Sequence, residues 1–586
     1  MTAPPLNELR FRIEAHLAYL YPEIDTALLA NEIIEIMDYA NHCHEATPFQ
    51  NHWNENDIAV ITYGNTVKNP GEVPLKTLSN FLNNYLSDLI SIVHILPFYP
   101  FSSDDGFSVV DYSAVNTELG TWEDIQALTD KFKLMADLVI NHCSAESEWF
   151  KNFINDKSPG KDYFFTAKLD DDVTAVVRPR TSPLLNEVGT VSGKKHVWCT
   201  FSPDQVDLNF KNPDVLLEFV RIIALYLDRG IEVFRLDAIA FLWKVIGSDC
   251  LNLPQTHEVV RLLRTLIEHS KPDALLITET NIPNQENLSY FGNANEAHII
   301  YNFSLPPLLV NTLVTGDCHY LRSWMMSNPP SRNGTTYLNF IASHDGLGLR
   351  PAEGLLSTEE IQTLADTLAK FGGHISWRAL NHGSHISRPY EINISLYDAL
   401  QGTTHGPDQY NHDRFICAHA IMLALEGIPA FYFHSLFATH NDEKRLAKTG
   451  QNRSINRHRW ELTALEEALS NGSEHQQAFE ALSHLILIRK NNPAFHPNAT
   501  QFTLHMPTSG QLNHIFAFWR QSMNREQSIF CINNITNTPQ VISLADLNLV
   551  TLDEWHDLLS GENYNDHKAT VELAPYQSLW LSNRTY

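Results

Sequence analysis

The chain has 586 residues, a length that calls for two or more domains rather than one hydrophobic core. Its 43% hydrophobic and 19% charged residues fit an ordinary globular protein. A formal charge of −27 disfavours nucleic acid and anionic membranes as partners, because both need a basic face. Seven cysteines are scattered singly, with no CxxC pair, so neither a zinc site nor a disulfide framework is expected. The N-terminus lacks the pattern of a signal peptide, and no apolar run is long enough to span a membrane. These features predict a cytoplasmic location; a monomer or homodimer is expected.

In chain order, residues 1–50 predict a helical extension packed on the body. Eight short apolar runs follow, alternating with helical stretches: 58–64 (IAVITYG), 91–100 (SIVHILPFYP), 134–142 (LMADLVINH), 230–239 (GIEVFRLDAI), 274–280 (ALLITET), 298–307 (HIIYNFSLPP), 336–345 (TYLNFIASHD) and 429–437 (PAFYFHSLF). Such repetition indicates parallel βα units, and eight of them close a TIM barrel. A doubly wound open sheet is the rival, but no glycine-rich phosphate loop follows the first run. The predicted architecture is therefore a (β/α)8 barrel of class α/β, laid out over 51–163, 206–345 and 413–489. Insertions occupy 164–205, after strand three, and 346–412, after strand seven. Long insertions of this kind sit over the active face of a barrel. From residue 490 to 586 short alternating runs such as QFTLHM, HIFAFWR and SIFCINN predict a small all-β domain.

Polar residues collect at the C-terminal ends of the predicted strands: Asp104 with Asp105, Asn141 with His142, Arg235 with Asp237, Glu279, and His344 with Asp345. An acid at one strand end can simply cap the next helix. Three carboxylates, two histidines and an arginine at five strand ends converge on one mouth, which capping does not explain. Carboxylates held together in this way suit glycosidic chemistry, in which one attacks the anomeric centre and another protonates the leaving oxygen. Arg235, two residues before Asp237, points to the same side of its strand and favours the ionised carboxylate. A metal site is the competing use of these groups, but no HExxH or oxygen-rich calcium loop is present.

The segments SSDDGFSVVDY, DLVINH, FRLDAIA, ITETN and ASHDG resemble the conserved regions of the α-amylase superfamily, glycoside hydrolase family 13. Within it, VVRPRTSPLL, HVWCTFSPDQVDLNF, FSLPPLLV, RPYEINISLYDAL and NRSINRHRW resemble the sucrose phosphorylase group. The resemblance implies Asp237 as nucleophile, Glu279 as acid/base and Asp345 as transition-state stabiliser. It implies Asp104, His142, Arg235, His344 and Arg453 as glucose ligands, Phe107, Phe201 and Phe241 as an aromatic wall, and Gln205 as a nearby polar contact. Taken singly, each phenylalanine could equally be barrel core.

Hydrolases and phosphorylases share the first displacement and differ in the second nucleophile, water or phosphate. Phosphate needs cations, and the insertions supply Arg178, Arg180, Lys194, Lys195 and Arg388, any of which could be an ordinary solvated loop residue. The resemblance singles out Arg180. RPYEIN stands where sucrose phosphorylases carry an LYQV-like segment: Tyr390 is kept, while Glu391 replaces a glutamine and so removes an NH2 donor. PYEIN, ITETN and the N-terminal extension look like the glucosylglycerate phosphorylase branch or the related glucosylglycerol phosphorylases. Arg388 or a loop lysine then faces a glycerate carboxylate, or Glu391 binds the hydroxyls of glycerol. The expected partners are a small α-glucoside and inorganic phosphate, with no metal or organic cofactor. An α-glucan hydrolase or transglycosylase, and a non-catalytic sugar-binding barrel, are the alternatives.

Overall fold

The computed structural model describes residues 4–379, 387–507, 513–547, 549 and 554–584. Eight parallel strands close a barrel in sequential order: β1 (Ala59–Thr62), β2 (Ile92–Ile95), β3 (Lys133–Leu138), β4 (Ile231–Leu236), β5 (Leu275–Thr278), β6 (Ile299–Tyr301), β7 (Thr336–Asn339) and β8 (Ile428–Tyr432). All eight lie within or overlap the apolar runs read from sequence, and the fold is a (β/α)8 barrel. The strands are unbroken apolar runs because helices cover their outer faces while side chains fill the lumen. The lumen also carries charge. His94 on β2 lies 2.7 Å from Asp137 on β3, whose other oxygen accepts from Arg235 on β4. Each of these buried groups has a partner, as burial in low dielectric requires.

Two long connections rise over the C-terminal mouth. Between β3 and β4, strand 142–144 pairs with 205–207, and 185–190 forms a hairpin with 193–198. Between β7 and β8, strand 387–393 is the centre of a three-stranded sheet flanked by 347–348 and 374–379. This sheet brings the RPYEIN segment to the mouth. Part of the second insertion, 380–386, lies outside the described residues.

The N-terminal helices α1 (Pro4–Leu20) and α2 (Thr26–Ile36) lie on the outer helices α3 (Pro213–Asp228) and α4 (Pro254–Ser270). Leu9, Ile13 and Leu17 recur at a four-residue spacing and are fully buried, forming the apolar stripe of α1. His16 adds a 2.6 Å contact to Glu258 of α4. After the barrel, a five-stranded antiparallel sheet is built from 500–504, 515–521, 528–534, 578–582 and 556–557. Buried Arg520 ties it to the barrel by donating to the carbonyl of Ala424 (2.6 Å).

Candidate active site

The strand ends meet in a cavity of about 630 Å³. Asp237 reaches it from the end of β4, Glu279 from β5 and Asp345 from the loop after β7. Asp104, Phe107, His142, Arg180, Phe201, Gln205, Phe241, Tyr390 and Arg453 also line it. A wider outer cleft of about 1760 Å³ continues past Arg180, Phe201, Trp377, Tyr390, Glu391 and Arg453.

The backbone beneath the carboxylates is unusual. Asp104, Asp105 and Ala238 have φ of 52°, 49° and 50°, in the left-handed region that non-glycine residues seldom occupy. At Ala238 this turn aims the N–H at Glu279 Oε2, 2.8 Å away. Gly106 (φ 119°) carries the chain past Pro97, where any Cβ would sit 2.6 Å from the Pro97 carbonyl.

Charge is arranged in two chains of contacts. In one, Arg235 Nη1 bridges Asp137 and Asp237 (2.8 Å to the latter), and Nη2 lies 3.9 Å from Glu279. Arg235 lies beneath the cavity floor and does not line it. In the other, Arg453 Nη1 lies 2.6 Å from Asp345, while its Nε and Nη2 donate to the two oxygens of Glu391 at 3.0 and 2.8 Å. Burial pushes the Asp345 carboxyl up, but Arg453, His344 and Arg457 hold it well below the usual carboxylate range. Burial and the neighbouring carboxylates push Asp237 and Glu279 up, with Arg235 opposing. Burial lowers both histidines, His344 to about 3, so the imidazoles are neutral. His142 Nε2 donates to the Phe107 carbonyl at 2.9 Å, which leaves Nδ1 to accept from Asn141 (3.2 Å). Gln205 Nε2 donates to the same carbonyl (3.1 Å). His344 stacks on Phe107 with centroids 5.0 Å apart, and neither of its ring nitrogens has a hydrogen-bond partner among the described residues. Phe201 and Phe241 meet edge to face at 5.6 Å.

Other readings of the sequence need correction. Glu391 is buried and committed to Arg453 and Asn393, so it is not a free acceptor for ligand hydroxyls. Arg388 lies on the inserted sheet opposite Arg378 and does not line the cavity. Arg178 donates to the Ser182 carbonyl, Lys194 pairs with Glu187 at 2.7 Å, and Lys195 covers the Phe153 ring. Arg180 alone of these loop cations reaches the cavity. It stands 5.5 Å over the Tyr390 ring and has no carboxylate partner among the described residues.

The structure adds residues that sequence reasoning did not single out. Asn281 and Thr280 line the cavity. Arg457 donates to Asp105 (2.9 Å) and to the His344 carbonyl (2.9 Å). Asn281 and Arg457 lie inside motifs already noted, ITETN and NRSINRHRW, which was their only signal. Lys244 had none. Its ammonium sits among Asn141 Oδ1 (2.7 Å), Asp207 Oδ2 (2.8 Å) and the Leu242 carbonyl (3.3 Å), joining both ends of the β3–β4 connection to the loop after β4.

Comparison with known proteins identifies the family. Residues 76–345 match the α-amylase catalytic domain. A glucosylglycerate phosphorylase of Allomeiothermus silvanus is 40% identical over 98% of this chain and 99% of its own. That of Escherichia coli K12 is 37% identical over 90% of this chain and 92% of its own. A glucosylglycerol phosphorylase of Marinobacter adhaerens is 30% identical over 75% of this chain and 88% of its own. The crystal structure of a sucrose 6F-phosphate phosphorylase from Thermoanaerobacter thermosaccharolyticum shares the fold, with a TM-score of 0.71 at 24% identity over 89% of this chain and 98% of that one. With its eight-stranded barrel, three carboxylates at strand ends and relatives matched almost end to end, the chain belongs to the α-amylase superfamily, within its glucoside phosphorylase group.

Proposed function

We propose that this chain is a retaining phosphorylase of 2-O-α-glucosylglycerate, releasing α-glucose 1-phosphate and glycerate. The observation that carries this reading is Arg180. It is a guanidinium without a carboxylate partner among the described residues, lining the same cavity as Asp237, Glu279 and Asp345. A hydrolase needs no such cation, whereas phosphate must be paired on entering an acidic protein. Relatives at 37–40% identity named glucosylglycerate phosphorylase favour glycerate as the acceptor over glycerol.

Asp237 is the nucleophile and Glu279 the acid/base. The two carboxyls titrate as a pair. The proton belongs on Glu279, because Arg235 stands 2.8 Å from Asp237 but 3.9 Å from Glu279. Arg235 holds Asp237 Oδ1, leaving Oδ2 to attack the anomeric carbon. As the C–O bond breaks, Glu279 gives its proton to the leaving glycerate oxygen. Asp345, kept ionised by Arg453, faces the positive charge that develops on the sugar. Asp104, His142, His344 and Arg453 bind the sugar hydroxyls, and the phenylalanines pack on its apolar faces. Phosphate then enters beside Arg180 and gives a proton back to Glu279 as one of its oxygens attacks the same carbon and expels Asp237. Two inversions leave the α configuration.

The test is release of glucose 1-phosphate from glucosylglycerate, glucosylglycerol and sucrose, each with and without phosphate. Phosphate-dependent release, fastest from glucosylglycerate, is the expected result. Free glucose at the same rate without phosphate overturns the reading.

A further inference from the structure

Asp104 and Asp105 face different cavities. Asp104 lines the sugar cavity, whereas Asp105 lines a separate one of about 680 Å³, formed by the loops after β1, β2 and β8. Lys68, Arg445, Arg457 and Arg459 line this second cavity against only two carboxylates, Asp105 and Glu118. Three of the cations crowd Asp105: Arg457 Nη1 at 2.9 Å, Arg445 Nη2 at 3.3 Å and Arg459 Nη2 at 3.9 Å. That long contact is the only ion pair of Arg459 among the described residues, and the Lys68 ammonium has neither an ion pair nor a hydrogen bond among them. Glu118 is exposed, as is Glu461 opposite Lys68 on the paired strand, and neither forms an ion pair among the described residues. Burial and Arg459 lower the Lys68 pKa, while burial and Arg445 lower that of Arg459, so these cations repel one another without full compensation. The Tyr63 hydroxyl and Arg445 Nε, on residues that line the same cavity, are buried with no hydrogen-bond partner among the described residues.

Gathering like charges around one carboxylate costs stability unless a counter-ion completes the set. A chain of net charge −27 has acids to spare for such a cluster, yet it leaves this one in excess of cation. We propose that the cavity binds a phosphoryl group, free or as a phosphate ester, between Lys68, Arg445 and Arg459, with the Tyr63 hydroxyl as a further donor. A phosphate dianion brings the charge that Asp105 lacks, and enough oxygens to accept from ammonium, guanidinium and hydroxyl together. The volume is that of a small-molecule site. This is not the place of the reacting phosphate, because Asp237, Glu279 and Arg180 line the other cavity and not this one. Arg457 connects the two. It donates from Nε to the His344 carbonyl at 2.9 Å, and its Nη2 lies 3.8 Å from Asp345, so an anion here shares an arginine with the loop that carries Asp345.

The test is calorimetric titration of the full-length chain with inorganic phosphate and with glycerol 3-phosphate at fixed ionic strength. Binding is read without turnover, so the result does not depend on which donor the enzyme uses. Arg180→Gln removes the cation of the other cavity and should still bind a phosphoryl probe. Adding Lys68→Gln and Arg459→Gln to it should raise Kd at least about tenfold, the size of one lost charged hydrogen bond. Tighter binding of glycerol 3-phosphate assigns the site to an ester, and tighter binding of inorganic phosphate assigns it to the free ion. No binding to Arg180→Gln, or a Kd that the two added substitutions leave unchanged, overturns the proposal. Thermal midpoints separate a ligand site from a structural cluster. In phosphate-free buffer the added substitutions should leave the midpoint unchanged or raise it, because they relieve repulsion, and phosphate should raise it only where Lys68 and Arg459 are present. A midpoint lowered in phosphate-free buffer makes these cations structural partners of Asp105 and overturns the proposal.

Discussion

The cavity has two halves built on opposite terms. In the sugar half every charged group is paired: Asp237 with Arg235, Asp345 with Arg453, and Arg453 in turn with Glu391. In the other half the cation is bare, since Arg180 lines the cavity and has no ion pair among the described residues. A paired site is rigid before its ligand arrives and positions atoms for bond making. A bare one uses the ligand as its missing partner and so discriminates by charge. A phosphorylase needs both, because one glucosyl group stays put while two different acceptors exchange.

The largest expected effect tests the paired half directly. Asp237→Asn removes the proposed nucleophile and should lower turnover of every donor by about 10⁴-fold or more while glucoside binding survives, measured by kinetics and calorimetry. Next, Glu279→Gln should cost roughly 10²- to 10⁴-fold on glucosylglycerate yet spare α-glucosyl fluoride, whose leaving group needs no proton. Equal loss on both donors would remove Glu279 from that role. Glu391→Gln sharpens the contrast between halves. Its main effect is to weaken the hold on Arg453, which also holds Asp345, so kcat/KM should fall about ten- to a hundredfold by the same factor for all donors. A loss confined to glucosylglycerate would return Glu391 to the acceptor subsite.

The smallest effect concerns a paired cluster that lies outside the cavity. His440 sits between Asp398 (2.5 Å) and Glu474 (2.7 Å), and these carboxylates raise its pKa to about 9. The folded value lies above the unfolded one of about 6.5, so its stabilisation is full below pH 6.5 and is lost as pH rises through 9. The group is nearly half exposed, with 47% of its side chain accessible, which limits the contribution to about 1 kcal/mol. Thermal midpoints of wild type and His440→Gln should therefore differ at pH 6 and converge at pH 10, with catalysis unchanged.

Much of the paired half was legible in the sequence. A β strand ends where its apolar run meets a polar residue, and a barrel puts every such end on one face, so Asp237, Glu279 and Asp345 could be placed together from order alone. The acceptor half was not, because it depends on how two insertions fold back. Nothing in RPYEIN tells that Glu391 faces Arg453 or that Arg388 points away from the cavity, since both follow from strand pairing within the inserted sheet. Lys244 was equally silent: a lysine in a loop reads as solvated until the surrounding partners are known.

Lys244 carries one last consequence. Its ammonium gathers oxygens from three separate stretches of chain, a task for which many proteins recruit a divalent ion. Because this cation is covalently part of the chain, it is present at fixed stoichiometry as soon as the polypeptide is made. The loop behind Asp237 should therefore hold its shape through chelator treatment and shifts in ionic composition, giving the enzyme a constant cavity geometry in a changing solvent.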